Sequence, residues 1–163
     1  MVFRLKKIFT FVFTKYLHYI AISIGTGVKA NGLVRAKNLS IGNNCHFNGM
    51  IVYGNGKVNI GDNFHSGKEL TLLTEVHNYN GLMLPYDNTV IVRSIEIGEN
   101  VWIGLGVYIL GGVTIGEGAI IQAGSVVAQD IPALAIAGGH PARAFKYRDS
   151  EHYYKLKVSR CFL

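Results

Sequence analysis

No acidic residue occurs before Asp62. Residues 1–61 hold eight Lys/Arg and carry +8, whereas residues 62–163 hold eight Lys/Arg and ten Asp/Glu and carry −2. The net charge of +6 therefore belongs to the front of the chain. A basic, apolar front fits a membrane surface or an anionic substrate better than DNA. No zinc-finger spacing or RNP-type aromatic motif points to a nucleic-acid partner. Cysteine is scarce: Cys45 and Cys161 are the only two and form no CxxC. That argues against a disulfide framework or a zinc site and fits a reducing cytoplasm. Prolines number three against twenty glycines, so many backbone positions are free to adopt turn conformations. Charged residues are only 16% of the 163 and apolar ones 49%. The chain is thus not disordered, and it suffices for one domain with a sizeable core.

A long uninterrupted apolar run is also missing. "MVFRLKKIFTFVFTKYLHYI" begins like a signal peptide, basic and then apolar, but Lys15 and His18 break it and no small-residue cleavage site follows. It is too interrupted to span a bilayer. On a helix, Leu5, Ile8, Phe9, Val12, Phe13, Tyr16, Leu17, Tyr19 and Ile20 share one broad face, and Arg4, Lys7, Thr14, Lys15 and His18 gather opposite. Such a segment (residues 1–23) would cap the raw end of the following domain; residues 1–20 would also suit peripheral contact with an anionic membrane, on its inner face.

What the chain has in quantity is a period of six. Ile97, Ile103, Ile109, Ile115, Ile121 and Val127 stand six apart, and "IGENVW", "IGLGVY", "ILGGVT", "IGEGAI" and "IQAGSV" define the unit. Its first position is aliphatic; its fifth is small or β-branched, at Val101, Val107, Val113, Ala119 and Ser125. Neither a helix nor a single strand repeats at six. Short strands joined by turns, three units to a triangular coil of eighteen residues, do. Stacked coils place Ile97 on Ile115, Ile103 on Ile121 and Ile109 on Val127. The upstream units "IGNNC" at Ile41 and "IGDNF" at Ile60 stand 19 and 37 residues from the next match, so insertions must absorb the slips. The larger break lies in residues 70–92, read as part coil and part protruding loop.

These motifs resemble the hexapeptide-repeat acyltransferases, in particular the galactoside, maltose and xenobiotic acetyltransferase group with its sugar O-acetyltransferases of polysaccharide biosynthesis. The resemblance covers roughly residues 40–157 and rests on motifs in order: Phe47-Asn48, "IGDN" at Ile60, His77, "NVWIG" from Asn100, "GVTIGEGAIIQAGSVV" and "GGHPARAFKYR". It implies a mainly β fold, a left-handed parallel β-helix over residues 24–137. A loop protrudes at about 76–92, the amphipathic helix precedes it, and residues 138–163 add a short C-terminal helix with Asp149 or Ser150 as N-cap. It also implies a homotrimer, acetyl-CoA as co-substrate and no metal.

Acyl transfer to a hydroxyl needs a base, and histidine titrates near working pH. Of six histidines, His18 and His152 read as surface residues, His46 and His65 as turn residues of early coils, and His140 as part of the glycine-rich exit from the repeat. His77, at the break in the repeat, matches the family's catalytic histidine. Glu75 is the nearest acid that could orient it if the strand continues, although a backbone carbonyl would serve equally. Some relatives take that acid from an N-terminal helical region, where this chain has none. Asn48 corresponds to an acceptor-side asparagine, or is a turn residue; Asn78 is a further substrate-side candidate. Trp102 follows the inward Val101 and so points outward, as a wall for the pantetheine arm or the acceptor. Ala123 and Gly124 leave backbone open to pantetheine amides. Ala128 stands where relatives often carry Thr, and Gln129 where they often carry Lys. Arg143 and Lys146 match positions that meet the nucleotide phosphates, or form a solvated basic face.

The resulting expectation is a CoA-dependent acetyltransferase forming an O-acetyl ester on a sugar of a capsular, lipopolysaccharide or other glycan precursor. An amino-sugar or nucleotide-sugar N-acetyltransferase is the neighbouring reading, and a non-catalytic trimeric β-helix the reading from another class. A zinc hydratase on the same fold needs three histidines at spacings that His46, His65 and His77 do not show.

Overall fold

The computed structural model describes residues 2–163. The side chains of residues 1–4 lie outside the described residues, and with them Arg4 of the basic helix flank. The chain winds into a parallel β-solenoid with three faces, opened by helix α1 (Val2–Ile20) and closed by helix α2 (Ser150–Val158). The first face stacks Ser23–Ile24, Leu39–Ile41, Val58–Ile60, Ile95–Ile97 and Thr114–Ile115. The second stacks Lys29–Ala30, His46–Phe47, His65–Ser66, Trp102–Ile103, Ile120–Ile121 and Ala135–Gly139, with Ala142–Tyr147 returning antiparallel at its end. The third stacks Val34–Arg35, Met50–Tyr53, Leu70–Leu73, Tyr108–Leu110 and Val126–Val127.

The six-residue period produces these faces directly. Ile97 pairs with Ile115, Ile103 with Ile121 and Ile109 with Val127, as the spacing predicts. The slipped units join the same ladders: Ile41 pairs with Ile60 and Ile60 with Ile97. Fifth positions Val101, Val107, Val113, Ala119 and Ser125 are all buried beside them. Each interior Ile or Val taken fully from water contributes about 1.5–3 kcal/mol, and here they form one continuous column.

The fourth position of the unit explains the glycines. Gly106, Gly112, Gly118 and Gly124 all have positive φ there, and Asn44, Asn63 and Asn100 fill the same position at one corner. Glycine and asparagine tolerate this left-handed conformation best. The asparagines also bond along the stack: Asn44 Nδ2 donates to Asn63 Oδ1 (3.0 Å) and Asn63 Nδ2 to Asn100 Oδ1 (2.9 Å). Asn100 Nδ2 then donates to Tyr153 Oη (2.8 Å), so α2 docks as the ladder's last rung. Asp149 caps α2 by accepting from His152 N (2.7 Å).

Helix α1 covers the raw edge of the second face. Thr14 Oγ1 accepts from Ala30 N (3.0 Å), Thr10 Oγ1 donates to Asn31 Oδ1 (2.9 Å), and Leu17 is fully buried with Phe13 and Ile20 packed on the core. The edge N–H of Ala30 is thereby satisfied, and the helix covers the end of the stack.

Candidate active site

Between Leu73 and Ser94 the chain leaves the stack. Glu75–His77 pairs antiparallel with Val90–Val92, and residues 78–89 form the hairpin's irregular end. His77 is exposed opposite Val90. Its imidazole lies flat on the Tyr86 ring, with centroids 4.0 Å apart and planes 8° from parallel. Asp87 ties the loop internally: Oδ1 accepts from Thr89 N (2.8 Å) and Oγ1 (2.6 Å), and Oδ2 from Leu82 N (3.1 Å). The bonds from Thr89, and then that from Leu82, hold the Asp87 carboxyl below the usual range.

Two sequence expectations take a different form here. Glu75 shares a strand face with His77 but its Oε2 accepts from Asn55 N (3.2 Å) and Nδ2 (2.7 Å). The carboxylate is held at the Asn55 corner, and the ring packed on His77 is that of Tyr86. Asn78 turns its amide into the loop, donating to Thr89 Oγ1 (3.0 Å) and accepting from Asn80 N (3.1 Å). It braces the loop that carries Tyr86.

Asn48 sits at the corner after the second-face strand, where Nδ2 donates to Ser66 O (2.7 Å) and Oδ1 accepts from Asn31 (3.3 Å). It borders a groove shared with α1 and lined also by Lys6, Phe9, Thr10 and Lys68. His46 and His65 are strand residues of the second face, not turn residues, and pack edge to face at 5.8 Å. Burial first, then the neighbouring charges of Lys29 and His65, lowers the His46 pKa. Among the described residues no group of three or more His, Cys, Asp or Glu is placed to hold a metal.

The second face carries the remaining candidates. Its outward residues form a register line: Trp102 pairs with Ile120, Ile120 with Ile136, and Ile136 with Lys146. Three steps of about 4.8 Å put the backbones of Trp102 and Lys146 about 14 Å apart along the wall. Trp102 is 54% exposed and Lys146 is exposed, whereas the alternate residues Ile103, Ile121 and Ala137 are buried. Arg143 is exposed on the same returning strand, opposite Gly138, with Nη1 donating to Ala142 O (3.1 Å). Ala123 and Gly124 form an open corner, and a Cβ built on Gly124 meets nothing within 4 Å. Ala128 borders a different groove, at the hairpin foot, with Thr74, Glu75, Tyr79 and Arg93. Arg93 is a cation the motif reading missed: it lies in the irregular break, where no repeat position marks it.

Residues 94–129 match the bacterial transferase hexapeptide (six repeats) family. The chain is 37% identical over 128 residues to galactoside O-acetyltransferase of Escherichia coli, a match covering 72% of this chain and 60% of that enzyme. It spans 45% and 56% of two yeast relatives. Among solved structures, a hexapeptide-repeat-containing acetyltransferase of Vibrio cholerae complexed with acetyl coenzyme A superposes with a TM-score of 0.71 at 27% identity. That match covers 83% of this chain and 76% of the other. A galactoside acetyltransferase in complex with coenzyme A gives 0.70 at 28% identity, over 86% and 72%. Residues 94–129 thus carry the hexapeptide repeats of that family, on the left-handed β-helix fold that the chain shares with these solved structures. Its relatives are acetyltransferases, the galactoside enzyme among them.

Proposed function

We propose that the chain is an acetyl-CoA-dependent O-acetyltransferase that esterifies a sugar hydroxyl of a capsular, lipopolysaccharide or other glycan precursor, working as a homotrimer in the cytoplasm. The observation that carries this reading is the exposed His77 imidazole, set on a hairpin outside the stack and held flat by Tyr86. His77 takes the acceptor hydroxyl's proton as that oxygen attacks the thioester carbonyl. It returns the proton to the departing thiolate, so the products are an acetyl ester and free CoA thiol. The wall from Trp102 to Lys146 supports the donor side: an indole and two aliphatic side chains for an arm, and Lys146 with Arg143 for phosphates. Ala123 and Gly124 offer accessible backbone beside it, and Asn48 an amide on the acceptor side. A neighbouring copy would cover the outward aliphatic residues of the second face.

Incubation with acetyl-CoA and a panel of sugars, galactosides included, should release free thiol only with an accepted hydroxyl. His77→Ala should lower turnover by about 10²–10⁴-fold while the fold holds, since the exposed ring gives up only its stack on Tyr86, about 0.5–1.5 kcal/mol. Unchanged turnover in that variant would remove His77 from the mechanism. Amide rather than ester products on an amino-sugar panel would reassign the acceptor.

A further inference from the structure

Helix α1 uses only one edge of its apolar face. At 100° per residue, Thr10, Phe13, Thr14, Leu17 and Ile20 point to the solenoid, and these make its contacts. Leu5, Ile8, Val12, Tyr16 and Tyr19 fall on the sector turned away, between 40% and 86% exposed. Lys15 borders that sector beside Ile8, its Nζ 5.8 Å from the Phe11 ring, and His18 and Lys7 follow further round the same flank. A two-turn cap would have needed Leu17 and its neighbours alone. The helix instead starts about two turns ahead of its first contact, at Thr10, and carries along its length a second apolar strip that its own chain leaves bare.

We infer that this outer strip of α1 docks on an anionic lipid surface, lying in the interface plane. Aliphatic and tyrosine side chains beside lysines are the composition such helices use. No helix among the described residues is long and apolar enough to cross a membrane. Charge selects lipid over a second copy: a second such helix brings only further lysines to the Lys15 flank. The first 61 residues contain no acid to pair with them, whereas anionic headgroups do so directly. The inference stands apart from the acetyltransferase reading, because vesicle binding is measured without turnover.

The full-length protein is floated with vesicles of phosphatidylcholine alone and of equal parts phosphatidylcholine and phosphatidylglycerol. It should rise with the anionic vesicles, stay behind with the neutral ones, and be released by high salt. Ile8→Ser/Val12→Ser should lower partition at least tenfold, and Lys7→Gln or Lys15→Gln roughly fivefold each. Melting temperature and acetyl-CoA turnover should hold, since these residues are exposed and lie outside the core and the proposed active site. Equal recovery with neutral vesicles, no recovery at all, or variants that float like the parent would overturn the inference. So would light scattering in which Ile8→Ser/Val12→Ser reduces the oligomer mass, for then a second copy occupies the strip.

Discussion

The Tyr86 ring lies parallel to the His77 imidazole at 4.0 Å, and the loop bonds of Asp87, Thr89 and Asn78 fix the turn that brings it there. A stacked aromatic pair of this kind is worth about 0.5–1.5 kcal/mol beyond its buried area. It restricts the imidazole to one plane without consuming either ring nitrogen.

Tyr86 is therefore a positioning residue for the proposed base. Tyr86→Phe should keep kcat within about twofold, because the stack survives. Tyr86→Ala should lower kcat roughly two- to tenfold, with KM for acetyl-CoA unchanged. Steady-state kinetics of both variants check this. A loss in Tyr86→Phe equal to that in Tyr86→Ala would show that the hydroxyl matters and the stack does not.

The donor wall makes a separate claim. As residues of the proposed donor wall, Trp102→Ala and Lys146→Gln should each raise KM for acetyl-CoA about tenfold and leave kcat within about threefold, the pattern of a loss in binding and not in proton transfer. Lowering ionic strength should tighten binding in the parent more than in Lys146→Gln. Equal salt dependence in the two would place Lys146 on a solvated face, the other reading its sequence position allows.

How far the sequence reaches is visible at these same residues. The ladders of Ile97, Ile103 and Ile109 were legible because a strict period fixes both burial and register. His77 was legible as a chemically apt residue where the period fails. Its stacking partner was not: Tyr86 is nine residues away in an irregular loop, and only the Glu75–Val92 pairing closes that distance. The hydrogen bonds of Glu75 were hidden for the same reason. Its true neighbour Asn55 belongs to the corner of the preceding coil, and an insertion of irregular length lies between the matching units. The line from Trp102 to Lys146 depends on an antiparallel return after Gly139, which no hexapeptide announces.

The corner glycines separate two costs that a sequence cannot distinguish. Gly106 and Gly118 both hold left-handed φ, +64° and +68°, so Ala at either should cost about 1–2 kcal/mol from backbone strain. A Cβ at Gly106 meets nothing within 4 Å, whereas at Gly118 it lies 2.8 Å from the Tyr153 ring and 2.7 Å from Leu134 Cδ2. Gly118→Ala should consequently be the more destabilising, and it should also increase hydrogen exchange in α2. Comparable melting temperatures for the two variants would mean that Tyr153 moves aside freely.

The contact that excludes a side chain at Gly118 also predicts an alkaline transition. Burial first, then hydrogen bonding to Glu117, pushes the Tyr153 phenol up to about 12; its Oη donates to Glu117 Oε1 at 2.8 Å and accepts from Asn100. A folded-state pKa above the ordinary value of about 10 means that the contribution is fully present below pH ~10 and is lost as pH rises toward 12. Ionised Tyr153 would face the Glu117 carboxylate without a proton to share. Residues 150–158 should then lose hydrogen-exchange protection between pH ~10 and 12 while the coils around Ile103 and Ile109 keep theirs. Tyr153→Phe removes the titrating proton and should abolish that pH dependence, at a constant cost of about 2–4 kcal/mol for its two lost hydrogen bonds, one of them to a carboxylate. A transition that persists in Tyr153→Phe would assign it to another group.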